Sequence, residues 1–119
     1  MKRALPLVFT LSRIENLMHQ VSFDPDQMSG SIITNTTRVD KKHLQETIAV
    51  FFDAISAGLA VSPLIMVEEE ERWIKLKTAC SLTVSGVMLK HGIPVRPKGG
   101  GLIEVVGRKP TRFTDMLMY

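Results

Sequence analysis

Cys80, Ser81 and Thr83 stand together where an apolar and β-branched run, Trp73, Ile74, Leu76, Thr78 and Ala79, gives way to the helix-forming Leu82, Val84, Met88 and Leu89. A helix that opens directly off a strand end presents unpaired backbone N–H groups and the positive end of its dipole. Its first turn can therefore hold a carboxylate or a phosphate. Such a position also favours thiolate over thiol in general, which makes Cys80 a candidate nucleophile. No histidine lies close to Cys80 in sequence, and an isolated cysteine is more often an inert packed residue. The bland reading of the same residues is a helix capped by small polar side chains, stopped by Gly92 and kept from continuing by Pro94. On either reading, residues 78–95 form a strand, an abrupt turn, a short helix and a second strand.

An anion held at that turn needs a cation, and the charge distribution shows where one could come from. Residues 1–71 carry 6 Lys and Arg against 10 Asp and Glu, whereas residues 72–119 carry 9 against 2, inside a net charge of +3. Positive charge thus accumulates in the half that holds the turn, which suits an anionic small molecule or a nucleic-acid backbone. Trp73, Phe113 and Tyr119 are the aromatic residues of that half, and they are not interleaved with the basic ones as a base-stacking platform requires. Arg96 and Lys98 are the cations nearest in sequence, beside Pro97-Lys98-Gly99-Gly100-Gly101, a loop whose glycines, Gly100 among them, permit close backbone approach. This loop does not match a phosphate-binding loop.

The remaining elements must position these groups. Ser12-Arg13-Ile14-Glu15 has capping-box spacing ahead of Leu17 and Met18, which predicts a short N-terminal helix. Asp24-Pro25-Asp26 is a turn, and residues 30–39 are rich in Thr and Ile as a strand is. Leu44, Ile48, Phe51, Phe52, Ile55 and Leu59 then follow a 3.6-residue period, predicting a helix over residues 40–57, capped by Asp40 and ended by Gly58, with its stripe buried on a sheet. Strands are expected over Val61–Val67, Leu102–Val106 and Arg112–Thr114, with Glu68-Glu69-Glu70-Glu71 as a solvated hairpin or loop tip. The sum is an α/β, more strictly α+β, fold: residues 1–119 as a single two-layer sandwich, a mixed β-sheet with two main helices plus the short N-terminal one.

Composition excludes other classes. Apolar runs are far shorter than the roughly 20 residues a membrane span requires, and Met1-Lys2-Arg3 leads into only a brief hydrophobic patch broken by Pro6, so no span or signal peptide is expected. One cysteine forms no internal disulfide, and His19, His43 and His91 lack ligand spacing, so a cytoplasmic setting with no metal and no cofactor is the expectation.

The order and spacing of Ser12-Arg13-Ile14-Glu15, Phe23-Asp24-Pro25, residues 57–63 (AGLAVSP), Thr78-x-Cys80-Ser81-x-Thr83, Gly92-Ile93-Pro94-Val95-x-Pro97, Gly100-Gly101 and Arg112-Phe113-Thr114-Asp115 resemble the regulatory domain of NrpR-type archaeal nitrogen repressors. The resemblance runs from Ser12 nearly to Tyr119. It implies an effector-binding domain of a transcriptional repressor of nitrogen assimilation, responding to 2-oxoglutarate, dimeric, and reaching DNA through an attached or separate winged helix-turn-helix. No helix-turn-helix is legible in this chain. Gly99 stands where the family pattern has an aromatic residue and Ser85 where it has an asparagine. A dicarboxylate needs two separated anion-binding points, which assigns one carboxylate to Cys80, Ser81 and Thr83 and the other to Arg96 or Lys98, beside Gly100. Two other readings differ in class: a ligand-free protein-interaction module and an enzyme using Cys80.

Overall fold

The computed structural model describes residues 4–118, with side chains from residue 12 to residue 117; Met1-Lys2-Arg3 and Tyr119 lie outside. The elements run α1 (Ala4–Gln20), β1 (Thr34–Asp40), a single 3₁₀ turn (Lys41–His43), α2 (Leu44–Ser56), β2 (Ile65–Glu69), β3 (Trp73–Ala79), α3 (Leu82–Lys90), β4 (Gly99–Val106) and β5 (Lys109–Met118). The class is α+β, as expected. The strands pair antiparallel and divide between a three-stranded sheet of order β1-β3-β2 and a separate β4–β5 hairpin, rather than joining one mixed sheet.

α1 is long, not short. Ser12 lies inside it, because the apolar residues upstream continue the helical run and Pro6 falls in the first turn, where a missing N–H costs nothing. Its last turn buries Met18, and Val21 just beyond is also fully buried. Gly86 of α3 makes this possible: a Cβ there would lie 2.5 Å from the Cβ of Val21 and 2.9 Å from the carbonyl oxygen of Met18. The two helices meet backbone to side chain at this point.

The central strand β3 carries the other core. Ile74 and Leu76 are fully buried and pair across the sheet with Val39 and Thr37 of β1. Burying such side chains stabilises the fold by about 1.5–3 kcal/mol each. Of the helical stripe, Leu44, Ile48, Phe51 and Ile55 are half-buried, and no residue of α2 is fully buried. Phe52 remains 54% exposed, and Leu59, past the helix end at Ser56, is 73% exposed, which corrects the expected stripe. The cause is geometric: positions 44, 48, 51 and 55 follow one line along the helix, while position 52 falls on its flank, beyond what a three-stranded sheet can cover. Asp40 does act as a cap, its Oδ1 accepting the Lys42 N–H at 3.1 Å, although the turn it caps is the 3₁₀ one.

The acidic run is largely exposed on the β2–β3 hairpin, as expected, and it continues into the strand rather than staying in the turn. Glu68 and Glu69 belong to β2, and cations on the neighbouring strands and turn relieve their mutual repulsion. Lys77 reaches Glu68 at 2.8 Å, Lys75 reaches Glu70 at 3.1 Å, and Arg38 lies 3.8 Å from Glu70 with its guanidinium 4.4 Å from the centre of the Trp73 ring. Exposed pairs of this kind add little stability each, and their alternation fixes which face of the sheet meets water.

Gly86→Ala would gain about 1 kcal/mol from helix propensity alone, but the conflict with Val21 and a backbone carbonyl outweighs it. A net loss of about 1–3 kcal/mol is expected, read as a lower urea midpoint at unchanged slope. The hydrogen bond from Lys77, then its charge, holds Glu68 below its ordinary pKa; Asp40 is lowered first by the Lys42 N–H. A carboxylate lowered in the folded state stabilises above its unfolded pKa and loses that contribution as pH falls through the folded one, so stability should drop below about pH 4. Lys77→Met should make that acid limb shallower in denaturation midpoints taken across pH.

Candidate functional site

The start of α3 is built around one residue of the segment that leads into β1. The carbonyl of Ile33 accepts the Cys80 N–H at 2.9 Å and the Thr83 hydroxyl at 2.9 Å, while the Ile33 N–H donates to Thr83 Oγ1 at 3.0 Å. Thr83 is 8% exposed, so its hydroxyl is committed to the fold. The Thr83 and Val84 N–H groups donate to the Cys80 and Ser81 carbonyls at 2.9 and 3.0 Å, closing the first turn tightly. Ser81 occupies the cap position with helical backbone angles and makes no side-chain capping bond, so the turn is closed by backbone rather than by the small side chains.

Ser81 instead borders an open cleft of about 350 Å³ between α2 and the sheet, where Phe51, Ile55 and Leu59 face Asn35 and Thr78. Asn35 and Thr78 are register partners across β1 and β3, and Ser62 adds another hydroxyl to the lining. The lining offers neutral donors and acceptors and includes no Lys, Arg, Asp or Glu. Sequence reading missed Asn35 and Thr78 as lining residues. The signal was present: a polar Asn35 sits on the same side of β1 as Thr37 and Val39, the side that β3 continues with Ile74 and Leu76.

The other expected site residues lie elsewhere. Arg96 lines a second cleft, of about 230 Å³, with Glu15, His19 and Leu89. Leu89 is in the last turn of α3, about 10 Å along the helix from Leu82 at 1.5 Å per residue. Within one chain, Arg96 and the Ser81 turn therefore mark opposite ends of α3. Lys98 is exposed and immediately precedes β4, and Gly100 lies within β4 opposite Leu117. Gly99, Gly100 and Gly101 form strand, not loop. Gly101 has the packing reason, since a Cβ there would lie 2.5 Å from the Asp115 carbonyl, whereas Gly100 faces open space. The strand expected after α3 is absent; residues 93–98 run to β4 without regular structure.

Among the described residues no group of His, Cys, Asp and Glu could hold a metal ion, and no helix is long and apolar enough to cross a membrane. A three-stranded sheet under one helix, with an uncharged polar cleft at the mouth of a strand-to-helix turn, places the chain among small α+β domains. The chain belongs to the family of NrpR regulatory domains, NRD1 and NRD2, whose model matches residues 7–119. It is 37% identical to the global nitrogen regulator NrpR of Methanocaldococcus jannaschii over 109 residues, 92% of this chain and 20% of that protein. With the global nitrogen regulator NrpRI of Methanosarcina mazei it shares 32% identity over 119 residues, 93% of this chain and 37% of that protein. A crystal structure of a nitrogen repressor-like protein from Methanococcus jannaschii superposes with a TM-score of 0.83 at 37% identity, covering 92% of this chain and 49% of that one. The chain is thus a regulatory domain of the nitrogen-repressor kind, and it spans well under half the length of the curated relatives it matches.

The hydrogen bonds assign different consequences to neighbouring hydroxyls. Thr83→Val leaves the Ile33 N–H without its acceptor, and a buried unmet group costs about 1–3 kcal/mol. Ser81→Ala removes an exposed hydroxyl and should stay within about 0.5 kcal/mol of the parent. Parallel urea titrations of the two variants check the contrast.

Proposed function

We propose that this domain senses 2-oxoglutarate for a transcriptional repressor of nitrogen assimilation, that it works in the cytoplasm as a homodimer, and that it reaches DNA through an attached or separate winged helix-turn-helix. It has no catalytic role in this reading, and it uses no metal or cofactor. The observation that carries the proposal is the cleft at the Ser81 turn of a nitrogen-regulator domain: exposed hydroxyl and amide groups converge there on an open volume of small-molecule size. One carboxylate of the effector is assigned to the turn formed by Cys80, Ser81 and Thr83. Because the Cys80 N–H and the Thr83 hydroxyl are committed to Ile33, Ser81 makes the direct contact and the other two hold it in place. The cleft lining has no cation of its own, so Arg96 or Lys98, beside Gly100, is assigned to the second carboxylate, supplied from the other copy of the dimer.

A ligand that binds only the folded state at 100 times its dissociation constant stabilises by about 2.7 kcal/mol. Thermal unfolding of the dimer with millimolar 2-oxoglutarate should therefore shift upward by several degrees. Ser81→Ala combined with Arg96→Ala should lose the shift while melting like the parent in its absence. A wild-type protein that does not respond would favour the interaction-module reading, which rests on the apolar side chains left uncovered on α2 and on the hairpin.

A further inference from the structure

We propose that Asn35, with Thr78 beside it, reads the 2-oxo group of the effector, while the adjoining carboxylate rests on the Ser81 turn and the far carboxylate points out of the cleft to its cation. The inference rests on the 2-oxoglutarate reading above. It assigns the orientation of the ligand and the residue that sets specificity within that reading.

Asn35 is out of place as a strand residue. Positions 35, 37 and 39 of β1 share a face with Ile74, Leu76 and Thr78 of β3 and with Ile65 and Val67 of β2. That is the face α2 covers, since Phe51 lines one volume with Val39 and the cleft with Asn35 and Thr78. Asparagine is depleted in strands. Among the described residues its carboxamide makes no hydrogen bond, and neither does the hydroxyl of Thr78, its register partner. Neither group stabilises the fold through its polarity, and a residue that breaks a local rule with no structural return points to function.

The uncommitted polar groups of the cleft form one continuous edge. Thr83 is bound to Ile33, and the Ser62 hydroxyl accepts the Leu64 N–H at 3.2 Å, whereas Asn35, Thr78 and Ser81 keep their side-chain donors. Register partners such as Asn35 and Thr78 have side chains about 5 Å apart, and Thr78 stands near the end of β3, just before Ser81. Against this edge α2 sets Phe51, Ala54 and Ile55, a wall without a polar side chain. A ligand with two adjacent oxygen-bearing carbons followed by methylenes matches both walls. Carbonyl and carboxylate oxygens only accept, so the carboxamide NH2 of Asn35 and the two hydroxyls are their complement, while the methylenes lie on the apolar side. The lining holds no carboxylate to repel them.

Calorimetric titration of the full chain with 2-oxoglutarate and with glutarate, which has both carboxylates and no oxo group, tests this. The parent should bind 2-oxoglutarate about tenfold more tightly than glutarate, the discrimination that one or two hydrogen bonds supply. Asn35→Ala should bring the two affinities within about threefold of each other by weakening 2-oxoglutarate alone. Asn35→Asp, which puts a negative acceptor of the same shape where the donor was, should weaken 2-oxoglutarate further than Asn35→Ala does. Asn35 is exposed and unpaired, so both variants should unfold like the parent without ligand. A parent that binds neither compound overturns the sensing reading itself. A parent that binds both equally overturns the assignment of Asn35 and leaves sensing in place. So does an Asn35→Ala variant that keeps the preference or loses both ligands alike, or an Asn35→Asp variant that binds 2-oxoglutarate as the parent does.

Discussion

Three hydrogen bonds converging on Ile33 hold the arrangement together. Its carbonyl takes Cys80 and Thr83, its N–H gives to Thr83, and the bond spans 50 residues of chain between Ile33 and Thr83. Each such bond contributes about 1 kcal/mol net, yet the buried groups left without partners would cost more, so the junction forms completely or not at all. By fixing the entry to β1 against the first turn of α3, the junction sets where α3 points. That direction brings Gly86 onto Val21 and Met18, and it sets Ser81 at the rim of the cleft. The residues nearest the candidate site are therefore structural first, and Ser81 is free for other contacts because its neighbours are not.

Among the described residues the fully buried apolar side chains come from two places in the chain. Met18 and Val21 lie under α3, and Ile74 and Leu76 lie at the centre of the sheet. Between them α2 contributes only half-buried side chains, with Val50 and Phe52 exposed. With no fully buried anchor, α2 is held less firmly than β3, and it forms one wall of the cleft. Under the proposed sensing role, a ligand in the cleft would bear directly on the position of α2.

Much of this was legible because local signals and tertiary structure agree. The β3-to-α3 junction, the Asp24 turn, the Asp40 cap and the stop at Gly58, whose φ is +82°, were each read from residue types whose physics is local. Other features depend on neighbours that a single chain does not announce. The capping-box pattern at Ser12 was satisfied equally by a helix beginning earlier, since helical periodicity does not mark its own start. The glutamate run is exposed as its mutual repulsion implies, but the cations that pair with Glu68, Glu69 and Glu70 sit on β1, on β3 and in the 3₁₀ turn between β1 and α2, beyond any local reading. The glycines at 99–101 suggested a loop, yet Gly101 is a strand residue that lets the Asp115 backbone approach closely. In the site, sequence proximity grouped Arg96 with Ser81, but a helix between two residues separates them by its own length.

An uncharged cleft in a domain proposed to sense a dianion has a physical consequence. A resident arginine would bind the effector in any state of the protein, and a ligand that interacts equally with two states shifts neither. If the second carboxylate finds its cation on the other copy, effector affinity belongs to the assembled form, and assembly is favoured by effector to the same degree, since coupling between two binding equilibria is reciprocal. The separation of Arg96 from Ser81 along α3 then serves the sensing reading, because it leaves a single chain unable to satisfy both ends of the ligand. On that reading, charge held apart within one chain would be the means by which ligand and quaternary structure report on each other.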